Sequence, residues 1–178
     1  MKIEGGNYRM VIVFHNYVIK LPYPSLFLKI LKRLPKGILL KRRGVGNDFK
    51  WAWLRFKKAV QNNISEYSCW RQTRAKFLAP TKICLGLINV QEREAGEVPS
   101  WEEVESILRR LSKGARRDVW TMDGHYFEPH NFLKNGQGWR LLDYGDHSEG
   151  GLPLTTFIVR HQTELEQLFC SQNQPPAN

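Results

Sequence analysis

The sequence predicts an α+β fold, an antiparallel sheet with helices set apart from it rather than alternating with its strands. Three observations carry this expectation. A strand-rich N-terminus is broken by a turn pair, a second hairpin signal occurs past residue 130, and the apolar residues between them recur at helical spacing. At 178 residues, with 42% hydrophobic and 25% charged side chains, the chain has the composition of one ordinary globular domain, which excludes a disordered polymer.

Tyr8–Phe14 and Tyr17–Leu21 are rich in Val, Ile, Phe and Tyr, and His15-Asn16 suits a tight turn between them. Pro22 and Pro24 end this hairpin because proline has no N–H to donate to a ladder. Pro35-Lys36-Gly37 and Gly44-Val45-Gly46-Asn47 divide the next stretch of chain into short helices and loop, with Phe49 to Val60 helical and Trp53, Phe56 and Val60 near one face. A separate helix is expected over Ile64 to Phe77, capped by Asn62 or Asn63. Lys82–Val90 reads as two short strands or one bent strand around Gly86. Ser100 followed by Glu103 is a capping-box pattern, and Trp101, Val104, Ile107, Leu108 and Leu111 form the stripe of the helix it starts. Phe132–Lys134 and Trp139–Asp143 flank a glycine turn and predict a hairpin. Thr155 or Thr156 caps a last helix with Leu165, Leu168 and Phe169 on one face, and the polar, proline-containing residues 171–178 fray.

Charge is the outlier, at +10 with a pI near 9.7. Between Lys29 and Lys58 lie 11 of the 27 basic residues and only one of the 17 acidic ones, Asp48. That segment accounts for the whole excess, and the other 148 residues, with 16 of each sign, are neutral. A block of this kind calls for an anionic partner, nucleic acid or an acidic protein. Lys41, Arg42, Arg43, Trp51, Trp53 and Arg55 are its candidate contact residues, since cations hold phosphates while aromatic rings stack on bases. The block also admits two other readings: an insertion whose aromatics pack on the sheet, or a membrane-surface segment using Leu26, Phe27, Ile30 and Leu31. The three cysteines, Cys69, Cys84 and Cys170, are odd in number and form no C-x-x-C pair, as expected of reduced thiols. With no signal-like N-terminus and no apolar run of spanning length, a cytoplasmic protein without a transmembrane segment is expected.

Four polar residues fall where a phosphate site needs them: Lys20 at the end of a strand, Glu66 on a helix, Asn131 before a hairpin and Asp143 after it. A lysine steered by a helical glutamate can hold phosphates, and an amide and a carboxylate can bind Mg²⁺ through oxygen. Taken singly, Lys20 also reads as an edge-strand lysine, and Asn131 and Asp143 as turn formers.

In these motifs the sequence resembles the protein-kinase-like superfamily. Tyr17-Val18-Ile19-Lys20 is similar to the V-A-I-K strand, and Glu66 falls where helix αC would carry its glutamate. Gly124-His125-Tyr126-Phe127-Glu128-Pro129-His130-Asn131-Phe132-Leu133 aligns without gaps to H-R-D-L-K-P-E-N-I-L, and Asp143-Tyr144-Gly145 is similar to D-F-G. The resemblance implies a single minimal kinase-like domain over 1–170: a small antiparallel-sheet lobe over about 1–92 with a basic insertion at 22–60, and a much reduced C-terminal lobe over about 93–170. Only 33 residues follow Gly145, too few for the full complement of C-lobe helices. It further implies ATP and magnesium as cofactors, with Gly5, Gly6, Lys20 and Glu66 at the nucleotide and Asn131 and Asp143 at the metal.

The sequence departs from the family in two places. Tyr126 stands at the position of the catalytic Asp, and a phenol with a pKa of about 10 is a poor proton acceptor at neutral pH. Asp123 and Glu128 are the nearest substitutes, so the expectation divides between a divergent kinase acting on Ser/Thr or a small molecule and a pseudokinase with weak or no phosphotransfer. The glycine loop is reduced to Gly5-Gly6-Asn7-Tyr8-Arg9, with Arg9 near the last glycine position and a first strand of only Lys2 to Glu4. The alternative from another class is a nucleotide-independent binding module acting through residues 29–58.

Overall fold

Two-residue alternation, carried through the turn at His15-Asn16, decides which side chains of the N-terminal sheet share a face. The computed structural model of the protein describes residues 2–5, 9–23, 45–114, 124–145 and 152–170. Five antiparallel strands form the sheet: β1 (Lys2–Gly5), β2 (Arg9–Phe14), β3 (Tyr17–Pro22), β4 (Thr81–Cys84) and β5 (Asn89–Glu92), in the order β1-β2-β3-β5-β4. Val11 pairs with Lys20, Val13 with Val18, Lys20 with Asn89 and Val18 with Gln91. One face therefore carries Arg9, Val11, Val13, Val18, Lys20, Asn89 and Gln91, polar at one end and aliphatic at the other. Both expected hairpin strands and the two short strands around Gly86 are present.

The largest departure from expectation is α1, one helix of 29 residues from Val45 to Thr73 in place of two shorter ones. No Gly or Pro interrupts it after Gly46. Among its described side chains the buried ones are Ala52, Ala59, Asn62, Asn63, Glu66 and Cys69, a helical stripe of small and polar residues. Asn62 and Asn63 are interior positions and cap nothing; Asn63 donates from Nδ2 to Gly86 O (2.8 Å) and accepts from Arg9, offsetting the low helix propensity of asparagine. The helix ends at Thr73, before the expected Phe77, where Arg74 turns to φ +50°. The basic segment is thus not a self-contained insertion over 22–60: its second half is the N-terminal part of the helix that bears Glu66, while residues 24–44 lie outside the described residues.

α2 (Trp101–Gly114) starts at the predicted capping box: the Ser100 N–H donates to Glu103 Oε2 (2.9 Å) and the Glu103 N–H to Ser100 Oγ (3.3 Å). Val104, Ile107 and Leu111 of its stripe are buried, but Trp101 is exposed. β6 (Phe132–Asn135) and β7 (Gly138–Leu141) make the second hairpin. The single last helix is in fact two, α3 (Leu154–Arg160) and α4 (Gln162–Cys170), and α3 begins behind Pro153 with no threonine cap. Leu165, Leu168 and Phe169 are buried as expected.

The main core lies between these C-terminal elements and the second half of α1. Phe169 is its centre: its ring lies 5.4 Å from Phe77, 5.9 Å from Phe132 and 6.2 Å from Trp139. The sheet joins this core through the chain after α1, where the Leu141 N–H donates to Phe77 O (2.7 Å) and the Ala79 N–H to Leu141 O (2.9 Å). Among the described residues no helix is long and apolar enough to cross a membrane. Cys69, Cys84 and Cys170 form no disulfide.

Phe169→Ala removes the ring common to three aromatic contacts and is expected to destabilise the fold by roughly 3–5 kcal/mol. A urea-unfolding midpoint close to wild type would show that α4 is not part of the cooperative core.

Candidate functional site

The polar end of the sheet face converges on one carboxylate. Glu66, 0% exposed, is presented by α1, and its Oε1 accepts from Arg9 Nη2 (2.7 Å) and Lys20 Nζ (3.0 Å). Its Oε2 accepts from Lys20 Nζ (3.1 Å), Asn89 Nδ2 (2.6 Å) and, at 3.5 Å, Gln91 Nε2. A carboxylate buried this deeply has lost its water, and countercharges and donors take the place of that water here. Asn89 is locked by the same requirement: with its amide nitrogen on Glu66, its Oδ1 is buried with no hydrogen-bond partner among the described residues. Flipping the amide would place oxygen against oxygen.

Lys20 also donates to Leu142 O (2.9 Å), the residue before Asp143, and its Nζ lies 3.9 Å from Asp143 Oδ1. Asp143 is held in place by its neighbours. Tyr144 is fully buried and donates its one proton to Ala79 O (2.8 Å), so Thr81, 2.8 Å away, donates to the phenol and itself accepts from Gln91 Nε2 (3.2 Å). Burial, and then the nearby Glu66 charge, push the Tyr144 pKa up and keep it a donor. Gly145 follows against α1, where a Cβ would come within 2.9 Å of Asn62 Cβ, so only glycine allows this approach.

Arg9 completes the cluster. Its guanidinium, 4% exposed, donates through Nη1 to Asn63 Oδ1 (3.1 Å) and through Nη2 to Glu66 and to Asp143 Oδ1. Burial opposes its charge, but Asp143 and Glu66 outweigh that and raise its pKa above the ordinary arginine value. No binding role was expected of Arg9. The signal was available in the register, because Arg9 shares a face with Val11 and Val13 and starts the strand that pairs with Lys20.

Beside the cluster opens a cavity of about 400 Å³. Val11, Val13 and Val18 of the sheet line it together with Leu133 and Leu142, and Lys20 and Asp143 line it as well. Asp143, with a side chain 35% exposed, is the most accessible member of the ionic cluster. His130, Asn131, Gln91 and residues 92–94 complete the wall.

Lys20, Glu66 and Asp143 are therefore brought together, and Asn131 lines the same cavity. Asn131 donates from Nδ2 to Tyr126 O (3.3 Å), and its O accepts the Leu142 N–H (2.8 Å), tying it to the Asp143 segment. Asn131 and Asp143, the expected magnesium ligands, both line the cavity, and Asp143 Oδ1 already carries the Arg9 guanidinium and faces the Lys20 ammonium. Gly5 is a β1 residue paired with Met10; Gly6, Asp123, Lys41, Arg42 and Arg43 lie outside the described residues. Tyr126 is buried in the main core and is not among the residues that line the cavity. Glu128 is half-buried with Oε2 3.3 Å from His130 Nε2, so it is His130 that reaches the cavity wall. Trp51, Trp53 and Arg55 are exposed on α1, far along the helix from Glu66.

Comparison of the chain with family models, curated proteins and solved structures returns no match.

Glu66→Ala leaves Arg9 and Lys20 buried beside an empty position and is expected to cost about 3–5 kcal/mol in urea unfolding. Ser100→Ala, at an exposed helix cap, is expected to cost only about 1 kcal/mol. Equal losses from the two variants would mean that the buried cluster does not hold the fold together.

Proposed function

We propose that the protein is a nucleotide-binding pseudokinase of minimal protein-kinase-like fold. The observation that carries this reading is the cavity itself. Aliphatic side chains from the sheet and from Leu133 and Leu142 give the cavity apolar surface of the kind a planar ring packs on, and the buried Lys20 lines the same cavity. A flat heteroaromatic ring with an anionic tail, such as ATP, matches that division of chemistry. Lys20 meets the phosphate by exchanging its bond to Leu142 O, while Glu66 keeps the ammonium oriented through two bonds. The order Lys20, Glu66, Asn131, Asp143 along the chain, with Lys20, Asn131 and Asp143 lining one cavity and Glu66 bonded to Lys20 behind it, supports the kinase-like reading. The burial of Tyr126 at the usual base position supports the pseudokinase branch of it.

Thermal shift with ATP tests this. Wild type is expected to gain about 2–4 °C in Tm for each kcal/mol of binding. Val18→Phe, which fills part of the cavity without touching the ionic cluster, is expected to weaken ATP by at least about tenfold. An equal rise in both proteins would place the nucleotide elsewhere, and no rise in wild type would remove the reading.

A second reading concerns the outer surface of α1. Trp51 and Trp53 are 64% and 47% exposed, with Trp53 stacked on Phe56 at 5.9 Å and Lys50, Arg55 and Lys57 exposed around them. Exposed rings among cations favour a single-stranded nucleic acid over packing of this face on the sheet. Binding of a single-stranded RNA oligonucleotide is expected to fall steeply with salt, and Trp51→Ala with Trp53→Ala is expected to remove about 1–3 kcal/mol per stacked base. Salt-sensitive binding that ignores both tryptophans would point to an acidic protein held by charge alone.

A further inference from the structure

Arg9 stands where the charge balance of the cavity is decided. Among the described residues the cluster holds two cations, Arg9 and Lys20, and two anions, Glu66 and Asp143, whose charges balance. Asp143 lines the cavity and has the most exposed side chain of the cluster, and the buried Arg9 guanidinium is bonded to its Oδ1. A small dication demands several oxygen ligands at about 2.0–2.1 Å in near-octahedral array. At Asp143 Oδ1 it would instead compete with a guanidinium already bonded there and face an ammonium 3.9 Å away. Unlike a bound ion, Arg9 cannot leave by diffusion or lose its charge by deprotonation. It is further held by Asn63 Oδ1 (3.1 Å) and Glu66 Oε1 (2.7 Å), both on α1.

We propose that Arg9 is a built-in substitute for divalent metal, neutralising Asp143 so that the cavity accepts a nucleotide's phosphates without magnesium. This rests on the nucleotide reading above. Arg9 does not line the cavity; it acts through Asp143 and is a positioning residue. With Asp143 neutralised by Arg9, the Lys20 charge is left to the incoming phosphate, and no ion is needed to shield the phosphate from the carboxylate. Without Arg9, Asp143 loses the guanidinium that offsets its charge, and a dication between it and the phosphate strengthens binding.

Isothermal titration with ATP, in EDTA and in excess magnesium chloride, tests this on the full chain. Wild type is expected to give dissociation constants within about twofold of each other in the two buffers, whereas Arg9→Gln is expected to bind at least about tenfold more tightly with magnesium than with EDTA. Arg9→Lys, which keeps the charge, is expected to restore metal independence, a rescue that a purely structural role would not predict. It also keeps the test open if Arg9→Gln does not fold. Wild-type binding that appears only with magnesium overturns this proposal and leaves the nucleotide reading standing; absence of binding in either buffer overturns both.

Discussion

The Glu66 carboxylate is the group on which the rest of the structure depends. It is fully buried, and an ionised carboxylate there without partners would carry a penalty of several kcal/mol. What makes the position tenable is that β2 brings Arg9, β3 brings Lys20 and β5 brings Asn89, all to one point. Those three strands can do so only in the observed register, because a one-residue slip would turn each of the three side chains to the other face. The carboxylate thus ties the sheet order β2-β3-β5 to α1, and through Lys20 and Arg9 it extends to Leu142 and Asp143. Apolar packing supplies the bulk of the stability, in the core around Phe169. The polar cluster specifies how the sheet lies on the helix.

That division explains why α1 was hard to read from the sequence. A search for an apolar stripe finds Trp53, Phe56, Val60, Ile64, Tyr67 and Trp70, yet Trp53 and Ile64 are exposed and the other four only partly buried. The face that is buried reads Ala52, Ala59, Asn62, Asn63, Glu66, Cys69, which carries no hydrophobic signal. Asn62-Asn63 looks like a cap because capping preference is local, whereas the partner that keeps Asn63 inside the helix is Arg9, 54 residues away. The hairpins were legible because alternation and turn chemistry act over a few residues, and the Ser100–Glu103 box was legible for the same reason. The break between α3 and α4 was not, since the threonines that could cap a helix there do not do so.

The candidate site shows the same contrast at finer grain. Lys20, Glu66, Asn131 and Asp143 were legible by type and order along the chain, and the fold brings three of them into one ionic cluster with the fourth on the adjoining wall. Arg9, Asn89 and Gln91 were missed, although they follow from Lys20 once the register is carried across the sheet: Lys20 pairs with Asn89, and Val18 with Gln91. Tyr126 was legible only as a poor proton acceptor at the base position; that its ring belongs to the hydrophobic core with Phe127 and Phe132 depends on contacts the motif does not encode.

The basic excess also acquires a different meaning. The described members of the ionic cluster balance in charge and absorb none of the +10, and the cations of the basic segment that are described, Lys50, Arg55, Lys57 and Lys58, all belong to α1. An insertion would have left the basic surface and the cavity as two separate features joined by loop. A continuous helix joins them instead: thirteen residues separate Trp53 from Glu66, roughly 20 Å at the rise of an α-helix, with no Gly or Pro between them at which the helix could bend. The outer aromatic surface and the carboxylate that orients Lys20 are two parts of one rigid element, so the position of either constrains the position of the other.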